Sequence, residues 1–179
     1  MTKTFGELQR AANADENWEV VQAAAGSEDG EAEINVEEGN STQNSIVDRK
    51  RRFSDALSVI ARKEKIRLAR LDTVIPQKAP DAEHMLIKSD TQGYDIEVLK
   101  GCQGIFNRTS AVIVELSVHG MYENSENFRE LTDFLYENGF VLFDQCPVYH
   151  TKFGLLTEYD GVFVRRTLIE DKLRQFAVK

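Results

Sequence analysis

Three side chains that could hold a charge or move a proton follow two apolar segments of the chain. They are Asp90, Glu115 and His119. Neighbouring carboxyl groups raise each other's pKa and stabilise a nearby imidazolium, so such a cluster can hold a positively charged group or deprotonate a hydroxyl. We expect this chemistry if the three side chains meet in the fold. An ordinary loop position is the alternative for His119.

The residues around Asp90 have the pattern of a strand, a polar turn and a helix. Residues 85–87 are an apolar strand, and Asp95 is predicted to begin a helix that buries one face, formed by Ile96, Leu99, Cys102 and Phe106. One helix therefore separates this strand from the apolar run 111–116, which favours a parallel pair of strands with a right-handed crossover. Ligands bind at the carboxyl ends of parallel strands, so we expect Asp90 and Glu115 at the same edge of the sheet.

Periodicity divides the rest of the chain into further elements. Helices are predicted over residues 3–14, over 49–65, from Phe128 to a stop at Asn138-Gly139, and over 168–176. Strands are predicted over residues 18–26, 31–38, 66–71, 140–143 and 159–166. Pro76 and Pro80 are expected to bracket a linker, and residues 147–157 a loop.

Composition limits the classes of protein to consider. A chain of 179 residues with 41% hydrophobic content favours one soluble α/β domain with its own core. The net charge of −8 argues against a nucleic-acid or membrane partner, because the summed field repels phosphates. The basic run 49–52 is predicted to be a solvated first turn of a helix, with an anion contact as the alternative.

The two cysteines and three histidines are scattered, so no metal site is predicted. No signal peptide or membrane span is expected, and cytoplasmic location is the default.

Small side chains end the predicted strand over residues 18–26. Ala23 and Ala24 would let a flat ring lie against the backbone, with close packing against a helix as the alternative. The commonest nucleotide-binding and hydrolase motifs are missing, since the chain has no G-x-G-x-x-G, phosphate loop, G-x-S-x-G or H-E-x-x-H pattern.

Residues 86–101 resemble the signature of a known family. They read L-I-K-S-D-T-Q-G-Y-D-I-E-V-L-K-G, which is similar to K-x-D-x-Q/E-G-x-E-x-x-V-L-x-G of the FkbM-type methyltransferases, with Asp95 in place of the usual Glu. This family is an S-adenosylmethionine-dependent branch with a Rossmann-like fold. Further matches follow in the family's order at residues 114–117, Met121-Tyr122, 135–140 and 159–165, with looser ones at 20–26 and 71–73.

The resemblance implies an incomplete Rossmann-like fold, with a mostly parallel sheet and an antiparallel carboxyl-terminal strand. The class has the strand order 3-2-1-4-5-7-6, but its first strand with a D-x-G-A-N-x-G turn and its acidic second strand are absent from the sequence. We therefore expect residues 1–179 to form one amino-terminally truncated domain. The gap would lie between the strands at Val20 and Leu86 and leave backbone groups unpaired. This gap has three possible outcomes. The strands from Glu31 and Ile66 rearrange to fill it, a partner chain or second copy fills it, or the domain is only marginally stable.

The resemblance also implies a reaction, the transfer of a methyl group from S-adenosylmethionine to a hydroxyl of a sugar or other small metabolite. In this interpretation Ala23 and Ala24 border the adenine and Asp90 faces the methyl-transfer centre. Glu115 with His119 would orient or deprotonate the acceptor hydroxyl. The alternative is a non-catalytic fragment or interaction module that binds no cofactor. A third possibility is an anion-binding regulatory domain that uses the basic run 49–52.

Overall fold

The computed structural model describes residues 2–37, 44–47, 60–118 and 128–176 of the chain. The helices are α1 Thr2–Ala12, α2 Leu71–Lys78, α3 Asp95–Lys100, α4 Phe128–Glu137 and α5 Arg166–Phe176, with a 3₁₀ helix at Gln103–Arg108. The strands are β1 Ala24–Ala25, β2 Gly30–Glu37, β3 Ile60–Ala69, β4 Met85–Ser89, β5 Thr109–Ser117, β6 Phe140–His150 and β7 Leu156–Arg165.

The larger sheet has four strands in the order β4-β5-β7-β6. β4 and β5 are parallel, as expected for strands that one helical segment connects, whereas β7 is antiparallel to both of its neighbours. Side chains alternate between the two faces of a strand. On β5 this alternation buries Val112, Val114 and Leu116 completely on one face and leaves Glu115 on the other.

The main core lies on that buried face. It is formed by apolar side chains of the sheet, of α3 and the 3₁₀ helix, and of α4, among them Val98, Leu99, Cys102, Ile105, Phe106, Leu131, Leu135 and Phe163. The helix face predicted from Ile96, Leu99, Cys102 and Phe106 is confirmed, because all four side chains are buried. Their burial removes apolar area from water, and this fixes α3 on the sheet and so fixes the turn that precedes α3.

The smaller sheet has three strands in the order β1-β3-β2. β3 pairs antiparallel with β2 and parallel with β1, whose two residues face Leu68 and Ala69. A second apolar cluster, formed by Ile34, Val36 and Ile66, covers this sheet.

The α/β composition is confirmed, but the expected mostly parallel sheet is wrong. The described strands form two mixed sheets in which β1 with β3 and β4 with β5 are the parallel pairs. The remaining pairings are antiparallel. The physical reason is that β2 and β3 pair antiparallel along eight residues of β2, and that β7 runs antiparallel between β5 and β6.

Two sequence predictions in the amino-terminal half are wrong. Residues 60–65 belong to β3 and not to a helix, and the remainder of the helix predicted over residues 49–65 lies outside the described residues, as does the basic run 49–52. The strand predicted over residues 18–26 is reduced to β1, and Trp18 is exposed. The reason is that β1 pairs only with the buried end of β3. Lys63, Lys65 and Arg67, which lie earlier in β3, are exposed, so this part of the strand does not bury a longer β1 beside it.

Two predicted loops form regular structure. The segment between Pro76 and Pro80 was expected to be a linker, but α2 runs through Pro76, and its Leu71 and Ile75 pack against the main core. β6 extends to His150 and so includes the first four residues of the predicted loop, with Pro147 on an edge strand, where a missing N–H is tolerated. Residues 151–155, between β6 and β7, lie outside the strands as predicted. The predictions for α1, β2, β4, β5, α4, β7 and α5 are confirmed within a few residues. No described helix is both long and apolar enough to cross a bilayer.

Candidate functional site

The turn that follows β4 has an unusual backbone. Gln92 and Gly93 both have left-handed backbones, with φ of 54° and 92°. Glycine adopts this region freely, but a residue with a Cβ does so at a cost. The turn is held from outside by Ser45, whose Oγ donates a hydrogen bond to the carbonyl oxygen of Gln92 at 2.8 Å. Ser45 is buried, and it pairs through its backbone with Asn35 of β2.

Asp95 holds the turn from inside. As predicted it begins α3, but its carboxylate turns back and accepts hydrogen bonds from Ser89 Oγ at 2.6 Å and from the Thr91 amide at 3.1 Å. The side chain is 3% exposed. Burial raises the pKa of Asp95, and the hydrogen bonds from Ser89 and Thr91 oppose that rise. Asp95 therefore positions the turn and does not face a ligand.

Glu115 and Asp90 lie at the same edge of the sheet, as the sequence predicted. β4 ends at Ser89, which pairs with Val114, so Asp90 follows the strand next to Glu115. The Nε2 atom of Gln92 lies 3.2 Å from Oδ1 of Asp90 and 3.2 Å from Oε2 of Glu115. One amide therefore bridges the two carboxylates. On the outer side, Lys88 Nζ lies 3.7 Å from Oδ2 of Asp90.

The environment of Glu115 disfavours its charged form. Burial raises the pKa of Glu115 to about 8, and the negative charges of Asp90, Glu158, Asp95 and Asp160 add to the effect. Asp160 lies directly across from Glu115 on β7. A carboxyl group with this pKa exchanges a proton near neutral pH, which is the property that a general acid or base needs.

A cavity of about 290 Å³ lies beside this edge, between β1 and the turn. Ala23, Ala24 and Asp90 all line it, so the structure brings together the three residues that were assigned to cofactor binding. The other lining residues come from β1, β2, the segment around Ser45 and the turn: Ala25, Ile34, Asn44, Ser45, Ile46, Thr91 and Tyr94. Glu115 does not line the cavity and reaches it only through Gln92 and Asp90. His119 lies outside the described residues.

The sequence interpretation assigned no role to Gln92, Ser45 or Tyr94. Tyr94 lines the cavity, and burial raises the pKa of its phenol, with smaller contributions from Glu97 and Glu28. The backbone of Gln92 had no local signal, because asparagine and aspartate favour the left-handed region and glutamine does not. Ser45 could not be found from a local pattern either, since its contact joins residues 47 positions apart.

The arrangement can bind a flat apolar group against the alanines and exchange a proton at the adjacent carboxyl pair. Among the described residues, no group of histidine, cysteine, aspartate and glutamate side chains is arranged to hold a metal ion. A family model described as the methyltransferase FkbM domain matches residues 5–142. No curated protein and no solved structure matches the chain significantly.

Proposed function

The chain belongs to the FkbM methyltransferase family, and from this premise we propose that it transfers a methyl group from S-adenosylmethionine to a hydroxyl oxygen of a sugar or another small metabolite. The observation that carries the proposal is that one amide bridges the carboxylates of Asp90 and Glu115, and that Asp90 also lines a cavity. A general base beside a recess that can hold part of the cofactor is what such a reaction requires.

The strand order supports a Rossmann-like origin of the larger sheet. The order β4-β5-β7-β6, with β7 antiparallel, equals the last four strands of the class order 3-2-1-4-5-7-6. Crevices at the carboxyl ends of parallel strands are the usual ligand sites in such sheets. The proposed site occupies this position, because Asp90 follows β4 and Glu115 lies near the end of β5.

The cavity fits one part of the proposed cofactor. Its wall of small side chains at Ala23, Ala24 and Ala25 leaves room for a flat ring, and Tyr94 lies in the same lining. Its volume of about 290 Å³ is near the lower limit for small-molecule sites, which suits the nucleoside portion. When bound, S-adenosylmethionine would supply a methyl group attached to a positively charged sulfur. The residues that line the cavity would then hold the nucleoside. Asp90 would place a negative charge on the side of the reacting atoms.

The carboxyl pair would handle the proton of the acceptor hydroxyl. In this proposal Glu115, with a pKa of about 8, accepts that proton. Gln92 fixes the orientation of both carboxylates through its amide, and Asp90 keeps the local potential negative. His119 remains a predicted second proton acceptor. Cytoplasmic location, the absence of nucleic-acid and membrane partners, and a partner chain or second copy that completes the sheet also remain predictions.

The proposal is tested by calorimetric titration with S-adenosylmethionine and by methyl transfer from a labelled donor to a panel of sugars and other small hydroxylated compounds. Micromolar binding and transfer to one class of acceptor are expected. Asp90→Asn should lower kcat far more than it lowers the affinity, whereas the matched variant Asp133→Asn, exposed on α4, should behave as the wild type. An absence of binding up to millimolar cofactor would support the non-catalytic alternative instead.

A further inference from the structure

A second cavity, with a polar lining, lies at the end of the larger sheet opposite to Asp90 and Glu115. Its volume is about 330 Å³, and it is lined by residues that precede β4, begin β5 and join β7 to α5. Hydrogen-bond donors and cations dominate this lining, which consists of Glu83, His84, Asn107, Arg108, Thr109, Ser110, Arg165, Thr167 and Leu168. Such a set differs from the alanine-rich wall of the first cavity and suits a different chemical group.

Arg165 is the central cation of this cavity. Its Nε and Nη1 atoms donate to the carbonyl oxygens of Thr109 at 3.3 Å and Asn138 at 3.0 Å. Its guanidinium carbon lies 4.1 Å from the centre of the Phe140 ring. The Nη2 atom is buried and has no hydrogen-bond partner among the described residues. An unpaired buried donor is costly, so an acceptor that reaches Nη2 from the cavity would stabilise the guanidinium.

Arg165 also has no carboxylate partner among the described residues, although the chain is acidic. Arg62, Arg70, Arg108 and Arg174 each form an ion pair with an aspartate or glutamate, while no such pair joins Arg165 to any described residue. Glu83, the acidic residue of the cavity, lies 3.5 Å from Nε of Arg108 and so neutralises that arginine. A partly buried guanidinium without a counter-ion is costly, and burial accordingly lowers the pKa of Arg165.

Two further polar side chains extend the cluster. The Nδ1 atom of His84 lies 3.2 Å from Oγ of Ser110, and both residues line the cavity. His84 has a left-handed backbone, with φ of 57°, which is an uncommon conformation for a residue with a Cβ. A planar guanidinium that forms paired hydrogen bonds, beside hydroxyl and imidazole donors, matches the oxygens of a phosphate or carboxylate group.

We propose that this cavity binds an oxyanion, as the phosphate or carboxylate group of a small molecule, against the guanidinium of Arg165 and beside Ser110 and His84. The site is distinct from the proposed methyl-transfer site, because it lies at the other end of β4 and β5. Binding of an anion there does not depend on the presence of a methyl donor.

Titration of the full chain with inorganic phosphate, at constant ionic strength against chloride, tests the proposal. The melting temperature should rise saturably with phosphate, since a ligand that binds only the folded state stabilises it. A parallel titration with acetate shows whether a carboxylate is preferred. A wild type that responds to phosphate and acetate no more than to chloride would overturn the proposal.

Two matched pairs of variants locate the site. Leu168→Glu places a carboxylate at an exposed position of the lining and should weaken phosphate binding roughly tenfold or more, whereas Leu8→Glu, exposed on α1, should leave it unchanged. Arg165→Lys keeps the charge but loses the paired donors and should also weaken binding, unlike Arg174→Lys on the exposed face of α5. Equal phosphate binding by Leu168→Glu and Leu8→Glu would contradict the assignment, even if Arg165→Lys does not fold.

Discussion

The side-chain amide of Gln92 lies 3.2 Å from Oε2 of Glu115, although the two residues belong to different elements. The same nitrogen contacts Asp90, and the backbone of Gln92 is held in the left-handed region. Strain of this kind costs on the order of 1 kcal/mol and persists only where surrounding contacts enforce it. Here the contacts are the two carboxylates and the hydroxyl of Ser45, so the strain and the bridge belong to one arrangement.

Gln92→Gly and Gln92→Ala separate the bridge from the strain. Both variants remove the amide, so under the proposed function both should lower kcat about tenfold, the equivalent of a net hydrogen bond or two. Only glycine relieves the backbone, so Gln92→Gly should be about 1 kcal/mol more stable than Gln92→Ala in urea denaturation. Equal stabilities would show that the backbone at Gln92 is not strained. Equal kcat values for both variants and the wild type would show that the bridge does not position the carboxylates.

The raised pKa of Glu115 predicts that stability falls as pH rises. In the unfolded chain this carboxyl loses its proton near pH 4.5, whereas in the folded protein it holds the proton to about pH 8. Between these values the folded state binds more protons, so the free energy of unfolding decreases across the window and levels off above it. Because the side chain is partly solvated, we expect a loss of about 1–2 kcal/mol and not the full value of the shift.

Glu115→Gln should remove this part of the pH dependence. The variant cannot ionise, so its unfolding free energy should vary less than that of the wild type between pH 4.5 and pH 8 and should exceed it at the upper end. Guanidinium denaturation at several pH values measures the difference. Glu137→Gln, exposed on α4, is the control and should follow the wild type. A Glu115→Gln profile that is parallel to the wild type would exclude Glu115 as the titrating group.

The strand and helix around the site were predictable because their signals are local. The polar turn after residues 85–87 and the helical spacing of Ile96 and Leu99 are patterns of about a dozen neighbouring residues. The position of Asp90 beside Glu115 then follows from the parallel pairing of two strands. The strand prediction over residues 66–71 holds for the end of β3, but residues 60–65 were predicted as helix because Arg, Lys and Glu favour helices locally. Its actual conformation is set by pairing with β2, which places Ile66 opposite Ala32. Such pairing overrides local preference and is invisible in one segment alone.

The candidate site was predicted in part for the same reason. Charged residues at strand ends could be located from the sequence, whereas the Ser45 contact and the cavity depend on how β1 and β2 pack near the turn. Burial and Asp90 raise the pKa of Glu115 most, and the smaller contribution of Asp160 requires the antiparallel register of β7, which brings it opposite. No spacing in the sequence specifies that register.

Ser89→Ala should destabilise the protein through Asp95. The hydroxyl of Ser89 donates to the buried carboxylate at 2.6 Å, and without it a side chain that is 3% exposed loses a donor. We expect a cost of about 2 kcal/mol in urea denaturation and a further rise in the pKa of Asp95. The matched control is Ser117→Ala, because the Ser117 hydroxyl is buried without a partner among the described residues, and its removal should be neutral or slightly stabilising. Similar costs for both variants would show that the Ser89 bond contributes little.

Gly101→Ala should loosen the contact between the two sheets. A Cβ at Gly101 would lie 1.9 Å from the carbonyl oxygen of Gly26, directly after β1, and this backbone cannot move aside without disturbing the Gly26 amide, which donates to Ala69. We expect a loss of about 3 kcal/mol in the free energy of unfolding, as for severe overpacking. Because β1 forms the alanine wall of the first cavity, the folded fraction should also bind S-adenosylmethionine more weakly if that cavity is the cofactor site.

The matched substitution for Gly101→Ala is Gly6→Ala in α1. A Cβ there meets nothing within 4 Å, so the change should stabilise the helix by about 0.5–1 kcal/mol and leave cofactor binding unchanged. Thermal and urea denaturation of both variants, with calorimetry on the folded protein, give the comparison. A Gly101→Ala protein as stable as Gly6→Ala would mean that α3 and the end of β1 are not in close contact in solution. The alanine wall would then no longer be held near Asp90, and the cavity could not serve as the cofactor site.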